Sequence, residues 1–312
     1  MKILDLENSD IKISEFCLGA MYFGSKIDKE ESFKILDLFV EEGGNFVDTA
    51  NIYSYWVQGC NGGESELLIG DWLQNRKKRG DVFIATKLGF EYPGVQKGLS
   101  ARQIKDECEK SLRRLNVDAI DLCYSHGDDF NTPVEETLKA YDELKTEGKI
   151  RHIGASNFNA WRIEQSKQVS RHNSWVEYSF VQQRYSYLRP RHSTKFENFQ
   201  VCANDEMLEY CRMKKMPFLA YSPLLGGAYS HNDREFPHHY LSVDSSRRLE
   251  VLSQVAQETG LDKNQIILNW MLKNQIIPIV ATSHQEPMRA NLNASYVNLS
   301  DEHLHRLNTA FA

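Results

Sequence analysis

Short apolar runs alternate with amphipathic stretches along almost the whole chain. The runs are 16–20, 45–47, 82–85, 119–124, 150–155, 178–181, 218–221 and 276–280. Each is too short for a helix, and each is followed by residues whose apolar positions recur every three or four places. Several of those stretches carry start and stop signals. Asp28 and Glu31 read as a capping box ahead of Phe33, Leu36 and Val40. Ser100 and Gln103 open a second helix along Ile104, Cys108, Leu112 and Leu115. Thr132, Pro133 and Glu135 open a third, with Val134, Leu138, Tyr141 and Leu144 as its stripe and Gly148 as its stop. Further helices are expected from about Glu64, Asn157, Asp205, Ser245, Asp262 and Glu286. Eight strand–helix units predict a closed (β/α)₈ TIM barrel rather than an open sheet. With no linker and no internal repeat, residues 1–312 read as a single α/β domain.

Composition narrows the function classes. A chain of 312 residues suits a barrel of about 250 residues plus insertions. The net charge of −6 argues against nucleic acid and gives no reason to expect an anionic membrane as partner. The six cysteines are scattered with no C-x-x-C pair and read as reduced thiols. No apolar leader opens the chain, and no apolar run reaches membrane-spanning length, so a cytoplasmic protein is expected.

In a barrel the reacting groups stand at the C-terminal ends of the strands. There this sequence places Asp48 and Tyr53, Lys87, His126, Ser156 and Asn157, Gln182, and Tyr221 with Ser222. Any one has a plain structural reading. Asp48 suits a loop cap, Tyr53 a packed aromatic, Lys87 a solvated charge, His126 a loop tie, and Ser156-Asn157 a helix cap. A ring of them at one end favours a site. A lysine beside a tyrosine lowers the phenol pKa, and an aspartate orients the lysine. A histidine can hydrogen-bond a carbonyl oxygen. Such a set delivers a proton to an oxygen that gains negative charge.

Other features have competing readings. Asp128-Asp129 could be an acidic pair for a metal or a hydrolase, against loop residues beside a capping box. His238-His239 lack further ligands nearby and read as an exposed loop. Trp56, Phe90 and Phe130 either wall an aryl pocket or only pack the loops.

Seven segments in order, NFVDTANIY (45–53), ATK (85–87), DLCYSHGDD (121–129), GKIRHIGASNF (148–158), VQQRYS (181–186), AYSPLLGG (220–227) and PIVATSHQEPMRANLNA (278–294), resemble the aldo-keto reductase family. The resemblance implies an NAD(P)-dependent oxidoreductase that reduces small aldehydes or ketones, or oxidises the matching alcohols. It implies a tetrad of Tyr53 as proton donor, Lys87 tuning it, Asp48 holding Lys87, and His126 orienting the carbonyl. It also implies that Ser156, Asn157 and Gln182 grip the nicotinamide amide and that Tyr221 stacks on the ring. Ser222, Leu224 and Gly226 would follow the pyrophosphate, and Gly19, Met21 and Asp48 would also border the cofactor. On the adenine side it implies Thr282, Ser283, Arg289 and Asn291. The family does this without a G-x-G-x-x-G fingerprint, and none is present.

The sequence departs from the pattern at the adenine side. Ala281 and Pro287 stand where NADP-preferring members usually carry Lys or Arg. NADP is favoured by family habit, and NAD or dual use stays open. The loop Ser54–Gly63 is longer than usual, which reshapes the substrate entrance. No metal is implied, and the oligomeric state is not legible. A second reading, a nicotinamide-binding regulatory subunit with slow or no turnover, is allowed because some relatives attach to channels.

Overall fold

The computed structural model describes residues 1–6, 10–197, 200–231 and 233–310. A short hairpin, β1 (Ile3–Asp5) and β2 (Lys12–Ser14), precedes eight parallel strands. These are β3 (Cys17–Gly19), β4 (Phe46–Asp48), β5 (Phe83–Leu88), β6 (Ile120–Ser125), β7 (Ile150–Ser156), β8 (Tyr178–Arg184), β9 (Phe218–Tyr221) and β10 (Ile276–Val280). They follow chain order round a closed barrel, with β10 pairing back onto β3 through Ile279 opposite Cys17. The barrel expected from the alternation of runs is therefore present. The strands overrun the apolar runs at their C-terminal ends, through Lys87 in β5, Ser156 in β7 and Gln182 in β8. Those extra residues are polar because they line the mouth.

Between the strands lie α1 (Lys29–Glu41), α2 (Glu64–Arg76), α3 (Ala101–Leu115), α4 (Val134–Thr146), α5 (Ala160–Asn173), α6 (Asp205–Met213), α7 (Val243–Thr259) and α8 (Lys263–Lys273). After β10 come α9 (Gln285–Leu292) and α10 (Asp301–Asn308). Asp28 caps α1 by accepting from the Glu31 N–H at 2.9 Å, and Ser100 caps α3 by accepting from Gln103. Three starts differ from expectation. Pro133 itself sits at the N-cap of α4, because the Thr132 hydroxyl is turned away to donate to Asp129 at 2.6 Å. α5 begins at Ala160 rather than at Asn157, whose backbone is left-handed at φ 61°. α7 starts before Ser245, with Ser242 as its cap.

The barrel interior is apolar below the mouth. Phe46, Leu122, Phe180, Leu219 and Ile277 fill it, with Phe46 packing edge-on against Phe83 and Phe180 at 5.2 and 6.2 Å. Ile11 and Ile13 from the hairpin segment join this cluster and close the N-terminal end. Truncating one such phenylalanine costs about 3–5 kcal/mol. Gly154 is required in β7, since a Cβ there would lie 2.4 Å from the Tyr124 ring. The outer core, between barrel and helices, collects the amphipathic stripes read from the sequence. All six cysteines are free. Among the described residues, no helix is long and apolar enough to cross a membrane.

Candidate active site

Strand ends bring the four candidate catalytic residues together. Asp48 closes β4, Lys87 lies in β5, His126 follows β6, and Tyr53 rides on the loop after β4. The Lys87 ammonium is fully buried and touches the Asp48 carboxylate at 2.5 Å. It also donates to the Thr49 carbonyl at 2.7 Å and to the Tyr53 hydroxyl at 2.8 Å. Three acceptors use all three ammonium hydrogens. Asp48 is held from its other oxygen by Gln182, whose amide donates at 2.9 Å.

Burial pushes the Asp48 carboxyl up against the pull of Lys87. Burial also works against the charge on Lys87, but Asp48 and then Tyr53 outweigh it and raise that pKa. The Tyr53 phenol departs from the sequence expectation. Burial lifts it to about 12, Lys87 pulls it down, and Asp48 adds to the lift. The lysine lowers the phenol as expected, yet its charge is largely spent on Asp48, so desolvation wins. Burial, with Lys87 second, holds His126 well below its ordinary 6.5. At neutral pH the pair is thus a protonated phenol and a neutral imidazole.

His126 is positioned by packing and by its backbone. Phe90 stacks on its ring at 4.3 Å, and its N–H donates to the Leu88 carbonyl at 2.7 Å. Its Nδ1 is buried and has no hydrogen-bond partner among the described residues. The His126 and Tyr53 rings meet edge to face with their centroids 6.1 Å apart, which sets the imidazole beside the phenol. Trp56 lies 6.3 Å from Tyr53 and 6.4 Å from Tyr22, all edge-on. Trp56 and Phe90 therefore wall the site. Phe130 is more exposed, stacks on Trp161, and lines a groove that also takes in Asp128 and Asn157.

Asn157 is fully engaged. Its Oδ1 accepts from the Tyr221 hydroxyl at 2.7 Å and the Val201 N–H at 3.0 Å. Its Nδ2 donates to the His126 carbonyl at 2.9 Å and to Ser156 at 3.1 Å. It is a clamp joining three strand ends, not the helix cap that Ser156-Asn157 suggested.

The residues fit a nicotinamide cofactor. Ser156 accepts from Asn157 and keeps its hydroxyl hydrogen to donate. After β9, Ser222, Leu225, Gly226 and Gly227 all take positive φ, and no atom lies within 4 Å of a Cβ placed on Gly226. A left-handed glycine turn with open space before it suits close approach of a phosphate. Leu224 precedes this turn, and Arg234 donates to the Gly226 carbonyl. Gly19 sits against β10, where a Cβ would meet Ile279 at 2.9 Å. The Met21 carbonyl accepts from Ser54 at 3.2 Å. On the far side, Ser283 is exposed and Asn291 buried, and Thr282 donates to the His284 carbonyl at 2.9 Å. Arg289 is already bonded to Glu42.

Several supporting residues were not singled out by sequence. Asn51, two places before Tyr53, donates to Glu107 of α3 at 2.8 Å, and Tyr92 donates to the same carboxylate at 2.6 Å. Glu107 is buried on the inward face of an amphipathic helix, and an acid on that stripe was a readable signal. Ser54 holds φ 79° and is pinned by Ser25 at 2.6 Å.

The acidic pair serves the loops. Asp129 accepts from the Leu99 and Asn131 N–H groups and from Thr132, and Asp128 pairs with Arg162 at 3.2 Å. His238 and His239 lie in a short 3-10 turn with their ring centroids 3.7 Å apart and their planes tilted by 47°.

Comparison with known proteins agrees with this arrangement. Residues 15–311 match the Aldo/keto reductase family. The chain is 30% identical to an uncharacterized oxidoreductase, YrpG, of Bacillus subtilis, over all of this chain and 96% of that protein. It is 28% identical to norsolorinic acid reductase A of Aspergillus parasiticus, over 97% of this chain and 79% of the relative. It is 25% identical to an aryl-alcohol dehydrogenase of Pestalotiopsis microspora, over 97% and 80%.

Proposed function

The chain belongs to the aldo/keto reductase family, and from that premise we propose that it reduces a carbonyl compound to an alcohol, and runs the reverse oxidation, with Tyr53 as acid and base. The observation that carries this reading is the buried chain Asp48–Lys87–Tyr53, at 2.5 and 2.8 Å, ending on a protonated phenol at the barrel mouth. A bound nicotinamide supplies the hydride that adds to the carbonyl carbon.

The chain's own residues supply the rest. Neutral His126 and the Tyr53 hydroxyl converge on the carbonyl oxygen and polarise it. As that oxygen gains charge, Tyr53 gives up its proton, and the phenolate left behind is met by the Lys87 ammonium at 2.8 Å. Asp48 keeps Lys87 aimed, and Gln182 keeps Asp48 aimed. In the oxidative direction the same phenolate takes the alcohol proton. Ser156 and Gln182 would meet the nicotinamide amide, Tyr221 would face its ring, and the turn from Ser222 to Gly226 would cradle the phosphates. Asn157 acts through these neighbours, because its own amide is spent on them.

Substrate class follows from the walls. Trp56 stands against Tyr53, with Tyr22 behind it, and Phe90 stacks on His126, so flat aromatic surface borders the pair. That favours aryl aldehydes and ketones, in keeping with relatives named for norsolorinic acid and aryl alcohol. We read residues 1–312 as one working unit, supported by the hairpin segment that seals the barrel floor. Multiple turnovers of an aryl ketone by the purified chain, lost in Tyr53→Phe, test the proposal. Tight cofactor binding without turnover would favour the regulatory reading instead.

A further inference from the structure

Resting on the reading of this barrel as a nicotinamide site, the geometry points to Glu31 as the residue that meets the adenosine ribose, so that the chain selects NAD(H) over NADP(H). Three observations carry it. First, Asp28 caps α1, but the Glu31 carboxylate does not return to close the capping box. It leans out to α9, accepting from the Gln285 N–H at 3.3 Å and facing His284 Nδ1 at 3.6 Å. A half-buried carboxylate thereby stands against His284 and the start of α9, next in the chain to Ser283. Second, Arg289 points away. Its partner Glu42 lies just past the end of α1, about 16 Å along the helix axis from Glu31. Helix starts face the barrel mouth and helix ends face its floor, so Arg289 is drawn toward the floor. Third, Ala281 and Pro287 bring no charge to the rim.

The balance of charge decides between the two cofactors. A 2′-phosphate wants fork-like cationic donors, and here it would meet a carboxylate. Lys34 lies 3.9 Å from Glu31 but also pairs with Glu30, which offsets it. Arg234 is bound to the Gly226 carbonyl on the diphosphate side. A free ribose diol, by contrast, gives a carboxylate two hydroxyl donors, and such charge-assisted bonds are the strong ones.

The test is equilibrium binding, read by quenching of tryptophan fluorescence with NADH and with NADPH. AMP and adenosine 2′,5′-bisphosphate serve as competitors that differ only in the 2′-phosphate. The expected result is NADH bound about tenfold or more tighter than NADPH, AMP competing better than the bisphosphate, and a smaller NADH preference in Glu31→Gln. Tighter NADPH binding, or the bisphosphate competing better in the unaltered protein, overturns the inference and leaves the reductase reading standing. An unchanged cofactor ratio in folded Glu31→Gln removes Glu31 from the selection. Failure of both dinucleotides to bind overturns the nicotinamide reading and this inference with it.

Discussion

Lys87 gives one hydrogen to Asp48 at 2.5 Å and another to Tyr53 at 2.8 Å, so one buried ammonium links the carboxylate to the phenol. Lys87→Met should lower turnover about 10²–10⁴-fold. It should also destabilise the fold by about 3–5 kcal/mol, because Asp48 would be left as an uncompensated buried charge. Adding Asp48→Asn should restore much of the stability and none of the activity. Thermal melts and turnover of the single and double variants check both halves. Recovery of activity in the double variant would contradict the role given to Lys87.

The pH profile follows from the directions of the two shifts. Tyr53 is raised to about 12, so its protonated, donating form persists through neutral and moderately alkaline pH. His126 is lowered well below 6.5, so it stays neutral as pH falls through that value. Carbonyl reduction should therefore be flat from about pH 6 to 9, while alcohol oxidation, which needs the phenolate, should climb through the alkaline range. Initial rates in both directions across that range are the check. A reductive limb centred near 6.5 would contradict the neutral histidine.

Glu107 acts on the reaction only through the loop that carries Tyr53. It accepts from Asn51 at 2.8 Å and from Tyr92 at 2.6 Å, and Lys110 pairs with it at 2.7 Å. Glu107→Gln should lower stability by about 1–3 kcal/mol and lower kcat severalfold. Cofactor affinity should hold, since the other strand ends are untouched. Equal loss of kcat and of cofactor affinity would show a general structural effect instead.

Trp56 tests the substrate class. Trp56→Ala should raise KM for aryl ketones about tenfold or more, with a much smaller change for a short aliphatic aldehyde. Parallel kinetics on the two substrates decide it. Equal changes would mean that the tryptophan packs the loop without touching substrate.

Much of this site was legible because a barrel places its chemistry at one end of each strand. Asp48, Lys87, His126 and Gln182 could be found by asking which polar residue follows each apolar run. What escaped depends on contacts distant in sequence. The hairpin strands are three residues long and of mixed polarity, so no period marks them. Asn157 had the sequence of a helix cap, but Val201, Tyr221 and the His126 carbonyl claim it and delay the helix to Ala160. Glu31 had the spacing of a capping box, yet its carboxylate finds α9 across the barrel rim. The Tyr53 pKa was misjudged because desolvation depends on enclosure, which spacing does not reveal.

Tyr53→Phe tests the central claim most directly, because it removes one hydroxyl and leaves the ring among its neighbours. Steady-state oxidation of NADH and NADPH with an aryl aldehyde should fall about 10²–10⁴-fold, while cofactor affinity by fluorescence quenching stays near that of the unaltered protein. Turnover persisting at the unaltered rate, with affinity equally unchanged, would contradict Tyr53 as the proton donor.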